Sequence, residues 1–146
     1  MQMSRVLGID VGTRTTGLAV SDELRLCVRG LPDHRPRSRA QDVAHVLQLC
    51  RQLQVRTVVV GYPMLSQSTS EGVMAKRSRG FAQQLQQTAR EAEMLLDVHL
   101  LDESLTSAAA YRRLAHCGLS IKKRRRSLDA AAACLLVEDF LAMQPH

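Results

Sequence analysis

A chain of 146 residues, 45% hydrophobic and carrying a formal net charge of +6, is long enough to bury a core without disulfides or a structural metal, and it predicts a single domain, 1–146. No apolar run approaches membrane-spanning length, and the N-terminus lacks the basic-then-apolar layout of a secretory signal. Cys27, Cys50, Cys117 and Cys134 show neither CxxC nor Cys/His ligand spacing, so they read as small buried hydrophobes in a reducing, cytoplasmic compartment.

In chain order, "SRVLGIDVG" and "TGLAV" are β-rich apolar runs joined by the polar "TRT", which predicts a hairpin. "LRLCVRG" alternates as a third strand, and "LPDHRPR" reads as a loop on its two prolines. Ser38 opens a helix with Gln41 as its capping-box partner, and Val43, Val46, Leu47, Cys50 and Leu53 follow at helical spacing. "RTVVVGYP" has the continuous apolar pattern of a strand buried on both faces. A second helix is predicted over 73–92 with Phe81, Leu85 and Ala89 on one side, then a fifth strand in "EMLLDVHLL". A third helix is predicted from Ser107 to Cys117, closed by Gly118, and Ser127 caps a last one containing Leu128, Ala132, Leu135 and Leu136. This order predicts an α/β fold: a five-stranded mixed sheet, a three-strand antiparallel meander plus two parallel strands, flanked by about four helices.

Three acids fall at element ends, where open α/β sheets build their sites: Asp10 in the first strand, Glu103 after the fifth, Asp129 in the first turn of the last helix. Asp10 is the least expected of them, a carboxylate inside an apolar strand. Three converging carboxylates stay ionised together only around a cation, and all-oxygen ligation selects Mg²⁺ or Mn²⁺. Asp22 and Asp102 read as turn and loop acids. Between Ser104 and Leu128 there is no acid, whereas Arg112, Arg113, Lys122, Lys123, Arg124, Arg125 and Arg126 supply seven positive charges. That is a footprint for a polyanion, and with two Phe, two Tyr and no Trp the expected target is backbone phosphate rather than stacked bases.

"DVGTRTTG" resembles the phosphate hairpin of the actin, sugar-kinase and Hsp70 superfamily, but such proteins need two lobes and this length holds one. Taken with "VVVGYP", "SEGVMAKRSRGFAQQL", "LLDESLTS" and "KKRRRSLDAAAACLLVEDFL", the opening "GIDVGTRTTGLAVSD" resembles the YqgF/RuvX family of pre-16S rRNA nucleases and Holliday-junction-resolvase-like proteins, nearly end to end. The resemblance implies an RNase H-like fold and carries the family's acidic site onto Asp10, Glu103 and Asp129, the same three that the residues alone single out. Two departures stand out. Ser104 occupies the place of the family's usual arginine, and "MLSQSTSEG" lacks the Asn and Gly that follow its G-x-P turn.

The expectation is therefore metal-dependent phosphodiester hydrolysis with two ions, the second completing its shell with a substrate phosphate. Gly12 is expected to leave room beside Asp10 for the scissile phosphate and Thr13 to donate to it, while the basic residues hold flanking phosphates. The substrate implied first is the 5′ end of pre-16S rRNA. The alternative is a Holliday junction, a branched DNA cut by a homodimer that would pair near Met64, Leu65, Val73 or Met74. A third reading, from another class, is a non-catalytic nucleic-acid-binding factor in ribosome assembly. No membrane partner is expected.

Overall fold

The computed structural model describes residues 4–63, 72–102 and 128–143. Five strands form one sheet: β1 (Arg5–Asp10), β2 (Thr16–Ser21), β3 (Val28–His34), β4 (Val55–Tyr62) and β5 (Asp97–Asp102), in the spatial order β3-β2-β1-β4-β5. β1, β2 and β3 pair antiparallel, and β4 and β5 add in parallel beyond β1, which is the mixed sheet expected from the element order. Three helices are described: α1 (Arg39–Leu53), α2 (Val73–Glu91) and α3 (Leu128–Met143). The helix expected at 107–117 and the Ser127 cap lie outside the described residues. No described helix is long and apolar enough to cross a membrane.

Because successive side chains of a strand point to opposite faces, each strand feeds two cores. Leu7, Ile9, Leu18, Val20, Val58 and Val60 pack under α1 and α2 with Val46, Leu47, Phe81 and Leu85. Val6, Ala19 and Val59 point the other way and pack under α3 with Ala133, Leu136, Val137 and Phe140. Leu7, Ile9 and Val58 are fully enclosed, and each such side chain contributes about 1.5–3 kcal/mol.

Helix α1 starts where its sequence says it should: the Ser38 hydroxyl accepts from Gln41 N at 3.1 Å, and Gln41 Oε1 accepts from Ser38 N at 3.3 Å. Ser38→Ala removes this cap and is expected to lower stability by about 1 kcal/mol, read as a lower urea midpoint with an unchanged slope.

Two strand boundaries differ from expectation. "LRLCVRG" starts too early, because 22–27 is a turn: the Asp22 carboxylate accepts from Leu26 N (2.7 Å) and Cys27 N (2.8 Å), and those bonds draw its pKa below the usual value. Leu24 and Leu26 are left in solvent, and β3 instead continues through Leu31 and Pro32 to His34. Proline is tolerated there because β3 is an edge strand. At the other edge, β5 begins at Asp97 because the chain is still leaving α2, with Met94 N bonded to Ala89 O and Glu93 left-handed at φ 57°. The Gln86 amide then binds β5 like a further strand, donating to Leu96 O and accepting from Val98 N. Of the cysteines expected to be buried, Cys50 is, Cys134 is half-buried and Cys27 is exposed on its turn.

Candidate active site

Asp10 ends β1 on the α3 side of the sheet, in phase with Val6 and Gly8, and only 4% of it is exposed. Its partner across the antiparallel ladder is Gly17. On the other side the parallel register pairs Gly8 with Val59 and Ile9 with Val60, and one further step brings Gly61 beside Asp10. The carboxylate thus lies in a trough with a glycine on each flanking strand. Neither glycine brings a side chain over the carboxylate, where a Val or Ile would. A buried carboxylate in such a trough is costly without a cation or hydrogen-bond donors, and its oxygens suit a hard divalent ion.

Beyond Asp10 the chain folds tightly back on itself. A Cβ at Gly12 would overlap the carbonyl oxygen of Thr15, so glycine at 12 is required to close the loop. The space that its missing side chain leaves is thus taken by Thr15, while the glycines that flank Asp10 across the sheet are Gly17 and Gly61. Asp10, Gly12 and Thr13 do share the wall of one open cavity of about 380 Å³ at the end of the sheet, closed on its far side by Met74 of α2. Arg14 lies in the same wall with an exposed side chain. Sequence reasoning passed over it, and the only signal was a lone cation between threonines in "GTRTTG".

Helix α3 crosses the sheet along one row of paired residues, Gly30–Ala19–Gly8–Val59–His99, one from each strand. Ala130 and Cys134 lie over Gly30, Ala133 and Val137 lie over Gly8, and the Phe140 ring is 5.4 Å from that of His99. The helix can approach this closely because three of the five residues beneath it are Gly or Ala. Its first turn, which includes Asp129, therefore begins on the face to which Asp10 points; the Asp129 side chain is not among those described. β5 ends at Asp102, two strands from β1 and so roughly 10 Å across the sheet. Leu101 packs on the α3 side, two residues before Glu103 in the chain. Glu103 itself, Arg112, Arg113 and Lys122 to Arg126 lie outside the described residues, and among those described no group of three His, Cys, Asp or Glu is placed to hold a metal.

A three-strand meander continued by two parallel strands, with a buried aspartate ending the first and a helix laid across the sheet above it, is the RNase H-like fold. The chain belongs to the RuvX family, whose model, described as Holliday junction resolvase, matches residues 4–143. A protein of Moorella thermoacetica named "Putative pre-16S rRNA nuclease" is 40% identical over 137 residues, 94% of each chain. Among solved structures, Thermus thermophilus RuvC in complex with a Holliday junction substrate superposes with a TM-score of 0.55 at 20% identity, covering 95% of this chain and 94% of that one. The yeast mitochondrial Holliday junction resolvase also gives 0.55, at 12% identity, over 96% of this chain and 78% of its own. These two likenesses establish the fold. Family membership makes the chain a hydrolase of the nuclease type, dependent on a divalent metal.

Proposed function

We propose that this nuclease hydrolyses phosphodiester bonds of precursor 16S rRNA, trimming its 5′ end in the cytoplasm, with Asp10, Glu103 and Asp129 as the acidic site of one RNase H-like domain. The observation that carries the site is Asp10: a buried carboxylate between Gly17 and Gly61, at the mouth of a cavity open to solvent. The substrate rests on the names of relatives such as the Moorella protein, matched along nearly the whole chain.

Asp10 and the two further carboxylates would hold Mg²⁺ or Mn²⁺, two ions when a substrate phosphate completes the second shell. Divalent ions there supply Lewis-acid activation of water and charge neutralisation at the leaving oxygen. The chain's own part is to hold the strand in line. Thr13 and Arg14 border the cavity and donate to the scissile phosphate's free oxygens, while Arg112, Arg113 and Lys122 to Arg126 take flanking phosphates. With about five such contacts the log–log salt slope of duplex binding is roughly −4.

A second reading, cleavage of a four-way junction, is favoured by the description of the family itself. It requires a symmetric dimer. Of the residues expected at such an interface, Val73 is 84% exposed at the start of α2, Met74 lines the catalytic cavity, and Met64 and Leu65 lie outside the described residues.

The deciding experiment presents a precursor rRNA leader and a four-way DNA junction side by side, with Mg²⁺, Mn²⁺ or EDTA. Metal-dependent cutting of the leader, faster than that of the junction, is the expected result. Faster cutting of the junction by a dimer would transfer the assignment to the second reading. Salt-sensitive binding of both with cleavage of neither would make the chain a non-catalytic assembly factor.

A further inference from the structure

On the other side of the Val11–Gly12 backbone from the catalytic cavity lies a second cleft of about 370 Å³, and the two share Val11 and Gly12 as a common wall. Three arginines line it: Arg37 from the approach to α1, Arg39 from its first residue, and Arg77 from α2. Arg37 and Arg39 are exposed and Arg77 is half-buried.

Asp42 is the one carboxylate in the wall, and it is already engaged: Oδ1 lies 2.7 Å from His34 Nε2 and accepts from Arg37 N at 2.9 Å. The neighbouring His45 stacks on His34 at 4.3 Å between ring centres, and desolvation holds its pKa below the ordinary value, so it adds no firm charge. Among the described residues none of the three arginines has an ion-pair partner. Three arginines against one carboxylate leave the cleft net positive, a field suited to an anion.

Arg39 also lies against α2: a Cβ at Gly80 would lie 2.8 Å from Arg39 Nη1, 2.9 Å from Nη2 and 3.0 Å from Cζ, so its guanidinium rests over the glycine beside Arg77. Its side chain is exposed and can adjust to meet a phosphate.

We propose that Arg37, Arg39 and Arg77 form a second phosphate subsite, which holds a phosphodiester of the bound strand next to the one cleaved at Asp10. This rests on the nuclease reading, and deepens it by stating where the strand goes: over the Val11–Gly12 backbone, from one cavity into the other. Two bidentate-capable arginines with a third behind them suit phosphate oxygens rather than base edges, so the subsite positions the strand without reading sequence.

The test is binding of a 5′-labelled precursor leader RNA in EDTA, followed by fluorescence anisotropy across a salt series, so that no cleavage is needed. Arg39→Ala and Arg77→Ala are each expected to weaken binding about tenfold and to reduce the magnitude of the salt slope by about 1. Gly80→Ala leaves net charge unchanged, favours the helix and displaces only the exposed tip of Arg39, so it should weaken binding less than Arg39→Ala does. Arg90→Ala, at the far end of α2, should bind as wild type. Equal losses in Arg90→Ala and the two cleft variants would reduce the effect to overall charge and overturn the subsite. Calorimetry with inorganic phosphate closes the remaining alternative: loss of phosphate binding in Arg77→Ala with RNA binding intact would make the cleft a free-anion site and sink the proposal. A failure of the nuclease reading shows separately, as absence of metal-dependent cutting by the wild type.

Discussion

Asp10→Asn is expected to abolish metal-dependent cleavage, with a fall on the order of 10³-fold or more, while leaving the fold intact. The substitution replaces a charged oxygen with an amide of nearly the same shape at a position that is 4% exposed, so packing against β2 and β4 is preserved. What is lost is the negative charge that anchors a divalent ion, and Lewis-acid assistance is worth several kcal/mol in a phosphodiester displacement. The same charge gives a readout that does not depend on turnover. At 100 times its Kd, Mg²⁺ should stabilise the wild type by about 2.7 kcal/mol, which is roughly 5–10 °C in Tm for a domain of this size. Asp10→Asn should show less than half that rise, each protein being compared with itself in EDTA. A variant that cuts within tenfold of wild type, with the same metal-induced shift, would make Asp10 a structural residue and return the function to the binding reading.

Gly8→Ala should be the most damaging single methyl in the sheet. A Cβ at residue 8 would overlap Val137 Cγ2 and lie 2.9 Å from the backbone oxygen of Ala133, so α3 as a whole must lift. Overpacking of this kind costs about 1–3 kcal/mol or more, a large part of the 5–15 kcal/mol available to a typical domain. Denaturation in urea should show a lower midpoint at unchanged slope, equivalent to a loss of about 3 kcal/mol. Activity should fall further than stability accounts for, because the helix that moves carries Asp129. Adding Val137→Ala relieves one of the two overlaps, so the double variant should be more stable than the sum of the singles by about 1 kcal/mol. Gly30→Ala provides the internal control under the same helix: its Cβ would meet Ala130 at 3.4 Å and Cys134 Sγ at 3.8 Å, ordinary contact distances, and the change should be within about 0.5 kcal/mol. Equal losses at residues 8 and 30 would mean that helix–sheet spacing is not set by the row beneath α3.

The arginine cleft also explains why the strongest basic signal in the sequence is not the whole of the positive surface. The run at 122–126 is visible because its charges are contiguous, whereas Arg37 and Arg39 of "RPRSR" and Arg77 of "KRSR" belong to two short basic stretches far apart in the sequence, which meet only when the starts of α1 and α2 are brought beside the loop after β1.

What the sequence determined alone is whatever depends on neighbours a few residues apart. Strand alternation and helical spacing located the apolar faces of β1, β4, α1 and α2, and Ser38 with Gln41 marked a helix start to the residue. Asp10 was legible for the same reason, as a local exception to an apolar pattern whose cost demands a function. Element order was enough to predict the mixed sheet, since a meander and two parallel additions follow from connection lengths. Contacts between residues far apart in the chain were decided only by the tertiary structure. The turn held by Asp22 moved β3 four residues along the chain, because two backbone bonds to its carboxylate outweighed the alternation of "LRLCVRG". The glycines that flank Asp10 in the sheet, Gly17 and Gly61, are its neighbours by register, whereas Gly12, its neighbour in sequence, is used up in closing a loop. Local patterns record which face of an element is apolar; register, set by the packing of the whole sheet, decides which residue lies opposite which.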